Sequence, residues 1–273
     1  MDYLGKKNIL TQRYRRKSFD LIEKVVSKIE FKDQKAIFVG ISGGPACGIT
    51  KISKFFHKRI TKSEIIKELS FFKIDNKNRN ISKENEYLVK DYDNYNKKRR
   101  LYLIDICSPD SFDYDKFFEI LNTLKKGEKI RIPFFDEEKC EYVPEKDKIV
   151  DPIKTPLIIV EGYYIFKDKR VREMLNLKIY KDVEDDVRLS RLILREEKYL
   201  KLDQEAYRMF LDIYEKFYKI SFKENINPYK TSANILLPDY KMVNENNEIE
   251  EDETLEFLIK NLTYLSKGKK PKV

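Results

Sequence analysis

The sequence predicts an α/β fold with three layers, in which helices cover both faces of a parallel five-stranded sheet. The first observation is a set of five short apolar runs, each with the length and continuous hydrophobicity of a buried parallel strand: 36–41, 69–74, 157–160, 177–180 and 235–237. The second is that helical or irregular sequence separates these runs, as in chains whose parallel strands are joined by crossover helices. The third is that 273 residues with 41% hydrophobic content can fill one such core.

Apolar residues at helical spacing predict the helices of this fold. These helices cover residues 14–30, 51–59, 184–197, 203–225 and 253–266. Two segments joined by a charged turn, residues 129–135 and 142–150, predict a β-hairpin that projects from the domain. Residues 77–100 are too polar for a core element, and we expect a long mobile surface segment there.

On this basis the chain divides into three parts. Residues 1–34 are expected to form a basic helical extension, and residues 35–240 a central domain with a polar insert at 76–100. Residues 241–273 are expected to form a closing helix followed by a basic tail.

Charge and cysteine content restrict the classes of function. A net charge of +9 arises from 56 basic and 47 acidic residues, so we interpret the basic runs as solvated segments rather than a nucleic-acid surface. Three scattered cysteines and one histidine argue against a disulfide scaffold or a zinc site.

No apolar run approaches the roughly 20 residues of a membrane helix. We expect a cytoplasmic location, with a mitochondrial address as the alternative, and no membrane partner.

A glycine-rich segment directly after the first predicted strand carries the chemistry. Gly43, Gly48 and Thr50 keep the spacing of the loop Gly-x-x-x-x-Gly-Lys-Ser/Thr, but Ile49 stands at the lysine position. Backbone N–H groups and the helix N-terminus of such a loop surround phosphates, and its hydroxyl holds Mg²⁺. Lys51 lies roughly 200° around the helix from Ile49 and is a poor substitute for the lysine. The residues expected to bind ATP or another nucleoside triphosphate are Gly43, Gly44, Ala46, Cys47, Gly48, Ile49 and Thr50.

Several further segments match a known family in its own order: residues 39–44, 108–113, 127–136, 160–162 and 185–191. With the glycine-rich loop, they resemble the uridine/cytidine kinase family, P-loop enzymes that transfer a phosphoryl group from ATP to the 5′-hydroxyl of a pyrimidine nucleoside. The resemblance covers about residues 36–238. It implies a P-loop NTPase-type fold with a helical lid, ATP and Mg²⁺ as cofactors, and a pyrimidine nucleoside as substrate.

The resemblance also implies roles for single residues. Asp75 takes the place of the base that accepts the hydroxyl proton, and Arg79 follows it at the family's spacing. A competing register matches Ser70-Phe71-Phe72 and would put Leu69 at the base position. Glu161 matches the acidic residue that supports Mg²⁺ with Thr50, and Arg195 matches an arginine that reaches the phosphates.

Two regions depart from the family pattern. Where the family lid carries Arg-Gly-Arg-Asp, this chain has Leu200-Lys201-Leu202-Asp203, and a further family arginine is Leu192. On the substrate side, the family's base-contacting Tyr and His are Phe135 and Cys140, and its ribose-binding Asp is Cys107. A polar substrate group that is deprived of its hydrogen-bonding partner typically binds about 1–3 kcal/mol less favourably.

These departures leave two readings of the function open. The first is a divergent nucleoside kinase with impaired activity. The second is a catalytically inactive pseudokinase that serves as a nucleotide-binding or protein-interaction module. A second copy of the chain or another protein remains open as a partner.

Overall fold

The computed structural model describes residues 19–29, 35–73, 94–200, 203–238 and 253–269. Its main sheet has five parallel strands in the order β2-β7-β1-β8-β9. The strands are β1 (Ile37–Gly43), β2 (Ser63–Lys67), β7 (Leu157–Glu161), β8 (Leu177–Asp182) and β9 (Ile235–Pro238). The predicted parallel five-stranded sheet is therefore confirmed.

Helices cover both faces of this sheet. They are α1 (residues 19–26), α2 (Ile49–Arg59), α3 (Asn94–Asp105), α4 (Tyr114–Lys125), α5 (Lys169–Met174), α6 (Asp185–Leu200), α7 (Gln204–Ile213), α8 (Lys219–Ser221) and α9 (Glu253–Ser266). The backbone stays helical from α7 through α8 to residue 226, with π-helical turns at Tyr214–Tyr218 and Phe222–Ile226.

The second strand corrects the sequence prediction. We expected it at residues 69–74, but β2 is Ser63–Lys67, and the segment after it forms a 3₁₀ turn at Glu68–Phe71. Among the described strands β2 pairs with β7 alone and lies at the edge of the sheet, so its outward side is not packed against an apolar strand. A search for continuous apolar runs therefore missed it.

Two apolar layers hold the helices to the sheet. On one face α1, α2 and α9 pack together through fully buried residues such as Val26, Phe56 and Leu258. On the other face α4 and the helical segment after α6 pack through Phe117, Tyr218 and their neighbours. Both terminal helices thus share a core with the sheet, while the proposed division at residues 34 and 240 stays a prediction.

Helix α3 is a second correction. Residues 94–100 belong to the segment that we expected to be irregular, yet they form the first turns of α3. The charged residue Arg99 is buried there, since it is paired with Glu196 of α6. A polar sequence therefore packs as a helix because a partner helix neutralises its charge. The remainder of the predicted insert, residues 76–93, lies outside the described residues.

The predicted hairpin is present. Its strands are β3 (Ile130–Ile132), β4 (Phe135–Asp136), β5 (Glu141–Tyr142) and β6 (Lys148–Val150), which pair as β3 with β6 and β4 with β5, both antiparallel. A hydrogen bond from the Lys148 ammonium to the carbonyl of Ile65 ties the hairpin to β2. The hairpin thus lies beside the edge of the main sheet.

Candidate functional site

The loop between β1 and α2 has the backbone of an anion-binding turn. Ala46 and Gly48 have φ angles of 60° and 91°, in the left-handed region that favours glycine. The loop is closed by hydrogen bonds from Cys47 N–H to Gly44 carbonyl at 3.1 Å and from Lys51 N–H to Gly48 carbonyl at 3.1 Å. In the described part of the chain no side chain caps α2 at Gly48, and the first turn of α2 holds no acidic residue. The positive end of the helix is therefore available to an anion.

A cavity of about 670 Å³ lies against this loop. Its walls come from residues 46–52 and from the C-terminal ends of β2 and β7, with α6 contributing further side chains. Open α/β sheets bind ligands at the C-terminal ends of their strands. The volume falls within the range of about 300–1,000 Å³ that is typical of small-molecule sites.

Thr50 and Glu161 meet at the base of this cavity. The Thr50 hydroxyl donates to Glu161 Oε1 at 3.1 Å, and the Glu161 carboxylate is only 4% exposed. Its other oxygen, Oε2, is buried without a hydrogen-bond partner in the described part of the chain. Burying a hydrogen-bond acceptor without a donor has a free-energy cost. A cation bound to this oxygen would remove that cost.

These two residues fit Mg²⁺ better than they fit a metal ion that takes all of its ligands from the protein. Mg²⁺ commonly takes one or two protein oxygens and completes its shell with phosphate and water. Within the described ranges, no group of three or more His, Cys, Asp or Glu residues could hold a metal ion. A metal at Thr50 and Glu161 would therefore depend on a bound nucleotide.

Helix α6 presents a stripe of arginines to the loop. Arg191 and Arg195 line the cavity, as does Tyr163. Arg188 is buried, with its guanidinium carbon 3.7 Å from the ring centroid of Phe222. These positions differ by three and four residues, which places them on one helix face. That spacing is the sequence signal that could have identified Arg191 as a residue of the site.

A buried ion pair holds α6 in place. Arg99 of α3 donates to both oxygens of Glu196, from Nη2 at 2.7 Å and from Nε at 3.1 Å. Its Nη1 also donates to the Glu137 carbonyl of the hairpin at 2.7 Å. Arg195 Nε donates to the same Glu196 carboxylate at 3.1 Å. One carboxylate thus links α3, α6 and, through Arg99, the hairpin.

Three residues expected to meet a nucleoside lie outside the cavity wall. Cys107 donates its thiol to the Leu103 carbonyl at 3.2 Å, and Cys140 donates to the Glu137 carbonyl at 3.4 Å. Phe135 packs against Phe72, with ring centroids 5.2 Å apart. All three side chains are buried in the core, and burial raises the pKa of the Cys107 thiol. Their role toward a substrate stays a prediction.

Glu68 is a buried carboxylate that sequence reasoning did not place in the site. It lines the cavity and accepts hydrogen bonds from the Tyr163 and Tyr164 amides at 2.7 and 3.1 Å, and from the Tyr114 hydroxyl. Burial raises its pKa to about 7, although these donors oppose the rise. The carboxylate therefore fixes the turn after β7. A Cβ on Gly162 would lie 2.4 Å from Glu68 Cβ, so only glycine allows this approach.

The position of the base depends on where β2 ends. β2 ends at Lys67, so the residues that directly follow it are Glu68 and Leu69, and Leu69 lines the cavity. This arrangement favours the competing register, in which Leu69 stands at the position of the base. Asp75 does not follow β2 directly, because the turn at Glu68–Phe71 comes first. Asp75 and Arg79 themselves lie outside the described residues, and their roles stay predictions.

Residues 38–245, which include the loop and every residue lining the cavity, match the Phosphoribulokinase / Uridine kinase family. The chain belongs to this family. This membership identifies the segment between β1 and α2 as the P-loop of the family.

Individual relatives agree with this assignment. The chain is 31% identical over 208 residues to the uridine kinase of Borreliella burgdorferi, an alignment that covers 75% of this chain and 87% of that protein. It is 30% identical over 202 residues to Uridine kinase-like protein 3 of Arabidopsis thaliana. That second alignment covers 73% of this chain and 38% of the plant protein, so the chain spans well under half of that relative.

A solved structure shares the fold of this family member. The D-glycerate 3-kinase of Cryptococcus neoformans aligns with a TM-score of 0.50 at 11% identity, covering 87% of this chain and 98% of the kinase. At that identity the likeness concerns the fold alone. In the part of the chain that the structure describes, no helix combines the length and the apolar character needed to cross a membrane.

Proposed function

We propose that the chain binds ATP, or another nucleoside triphosphate, together with Mg²⁺ in the cavity beside the P-loop. The observation that carries this proposal is the Thr50–Glu161 pair, with the buried Glu161 Oε2 left without a hydrogen-bond donor in the described part of the chain. A divalent cation held by these two residues would supply the missing partner of that oxygen.

The phosphates would be held mainly by the backbone. Residues 43–50 wrap the N-terminus of α2, where the first amides and the helix dipole favour negative charge. When bound, Mg²⁺ neutralises charge that develops on the phosphates during transfer. Thr50 and Glu161 would hold that ion, and Arg195 of α6 would contact the transferred phosphoryl group.

We further propose that phosphoryl transfer to a pyrimidine nucleoside 5′-hydroxyl is retained but impaired. Family membership and the uridine kinases among the relatives support the reaction class. Burial of Cys107, Phe135 and Cys140 in an apolar cluster supports the impairment, since these side chains offer a nucleoside no charged group. We keep Asp75 as the proposed base on the family spacing, against the end of β2 at Lys67, which favours the register of Leu69. A leucine at the base position could accept no proton, so that register supports the pseudokinase described next.

A pseudokinase is the second candidate. The specific observation that favours it is Ile49, which is 7% exposed and packs in the apolar cluster behind the loop. Without a lysine at this position, the loop loses its nearest fixed cation for the transition state. Such a protein would bind nucleotide without turnover. A cytoplasmic location and partners beyond the small ligands also remain proposals.

Calorimetry and a product assay test these proposals together. ATP should bind in the presence of Mg²⁺ and more weakly when the metal is removed by a chelator. A panel of nucleosides with Mg²⁺–ATP should give slow turnover without strong preference between uridine and cytidine. Absence of binding at millimolar nucleotide would overturn the proposed function, and rapid, saturable uridine phosphorylation would overturn the impairment. Binding without any product would favour the pseudokinase.

A further inference from the structure

We propose that Lys67, at the end of β2, supplies to the phosphates the positive charge that the P-loop lacks at Ile49. The inference rests on the proposed function, because it concerns how the same cavity holds a nucleoside triphosphate. It assigns a phosphate-binding role to a residue outside the loop motif.

The loop position itself cannot provide this charge. Ile49 is the first residue of α2, and its side chain is 7% exposed within the apolar layer formed with α1 and α9. The residue therefore contributes to the core behind the loop. The cavity must draw a cation from elsewhere if it is to neutralise a triphosphate.

Lys67 lies where such a cation is needed. Its side chain lines the cavity, and its ammonium is 3.8 Å from Glu161 Oε1, the oxygen that also accepts the Thr50 hydroxyl. The sheet fixes this arrangement, because Lys67 of β2 is directly paired with Glu161 of β7. The ammonium thus stands beside the pair that would hold Mg²⁺.

The contact between Lys67 and Glu161 leaves the ammonium able to turn toward a ligand. A separation of 3.8 Å is longer than a hydrogen bond, and the Lys67 side chain is 34% exposed. Lysine combines a compact charge with three donors on a flexible stem, which suits contact with phosphate oxygens. A cation bound by Glu161 would also repel the ammonium from the carboxylate and toward the phosphates.

The other lysines in the wall fit this role less well. Lys181 is 3% exposed, and its ammonium donates to the Pro238 carbonyl of β9 at 2.8 Å, which holds it toward the outer strand. Lys51 is exposed on α2, roughly 200° around the helix from the position that holds the lysine of the loop motif. Lys67 is the lysine of the described wall that contacts the Thr50–Glu161 pair.

The test compares Lys67→Met with Lys67→Arg, and with Lys54→Met as a matched control. Lys54 is an exposed lysine of α2 that lies outside the cavity wall. Calorimetry is done with Mg²⁺–ATP and with AMP, which lacks the outer phosphates. A loss of affinity confined to ATP indicates a contact with those phosphates, whereas a loss for both ligands indicates general damage to the site. Lys67→Met should weaken Mg²⁺–ATP binding roughly 10- to 100-fold, the usual weight of a charged hydrogen bond. AMP binding should stay within about twofold, and Lys67→Arg should recover most of the ATP affinity.

A second arm uses the loop position. Ile49→Lys should raise ATP affinity more in the Lys67→Met background than in the wild type, because the two side chains would serve the same phosphates. The double-mutant cycle measures this coupling as the difference between the two backgrounds. Circular dichroism of Lys67→Met checks that the variant background is folded.

The outcomes separate the two proposals. Wild-type protein that binds Mg²⁺–ATP, with unchanged affinity in Lys67→Met, overturns the role of Lys67 and leaves the proposed function standing. Equal losses for ATP and AMP, or strict additivity with Ile49→Lys, overturn it as well. Wild-type protein that binds no nucleotide at millimolar concentration overturns both.

Discussion

Single residues show how far the site follows from the sequence. Thr50, Glu161 and Arg195 were expected to share a site, and they border one cavity. The loop motif is found by its spacing, whereas the roles of Glu161 and Arg195 came from the resemblance to the uridine/cytidine kinase family. Lys67 and Glu68 were missed because their roles depend on strand pairing and burial, and β2 had been placed too late in the chain.

Glu68 makes the stability of the fold depend on pH. Burial raises its pKa from 4.5 to about 7, so the unfolded chain ionises this group at a lower pH than the folded protein. The stabilising contribution is complete below pH 4.5 and is lost as the pH rises to about 7. Relative to Glu68→Gln, the wild type should lose up to about 3 kcal/mol over this interval.

Urea unfolding at pH 4.5 and at pH 7.5 measures this difference. Glu128→Gln, at an exposed position after α4, is the control and should follow the wild type. Parallel pH dependence in the wild type and Glu68→Gln would show that Glu68 is not the group responsible.

Asp75 is the residue on which the proposed chemistry depends. General-base catalysis contributes about 10²- to 10⁴-fold, so Asp75→Asn should lower any turnover within that range. Nucleotide affinity should change little, because the P-loop and the metal pair are untouched. Product formation under saturating Mg²⁺–ATP is the measurement. Turnover that is indifferent to Asp75→Asn would move the search for the base to the register of Leu69 and Glu68.

At the scale of elements, strands were predicted well where burial is complete. β1 and β7 are buried along their whole length, and their continuous apolar runs identify them. The edge strand β2 and the charged helix α3 were not predicted, since both depend on partners distant in sequence. A pattern of neighbouring residues cannot reveal the pairing of Arg99 with Glu196, because the two residues are far apart in the sequence.

This pairing predicts a large effect on stability. Arg99→Met should cost about 3–5 kcal/mol, because it leaves the buried Glu196 carboxylate without its main partner. Lys198→Met is the matched control, as the Lys198–Glu138 pair also joins α6 to the hairpin but is exposed. The Lys198→Met substitution should lower the free energy of unfolding by less than about 1 kcal/mol. Denaturant midpoints measure both, and equal effects would contradict the anchoring role of Arg99.

At the scale of the whole molecule, both terminal helices complete the core of the central sheet. Phe19 of α1 stacks on Phe257 of α9 with ring centroids 4.7 Å apart, and Leu258 is fully buried in the same layer. The sequence located these helices but gave no sign that they pack together, because the contact joins the two ends of the described chain.

We predict that this layer is integral to folding. Leu258→Ala should destabilise the protein by about 2–5 kcal/mol, the usual effect of removing a fully buried leucine side chain. Leu21→Ala, at a position of α1 that is 48% exposed, is the control and should have little effect. One cooperative unfolding transition, shifted by Leu258→Ala, is expected in urea. Separate transitions for the terminal helices and the sheet would contradict the shared core.

The central claim is that the Thr50–Glu161 pair holds a divalent cation together with a nucleotide. The most direct measurement is electron paramagnetic resonance of Mn²⁺, used in place of Mg²⁺, titrated with protein in the presence and absence of ATP. The account predicts a protein-bound Mn²⁺ signal that requires ATP and that is strongly reduced in both Glu161→Gln and Thr50→Val. A bound signal that forms without ATP, or that is unchanged in the two variants, would contradict it.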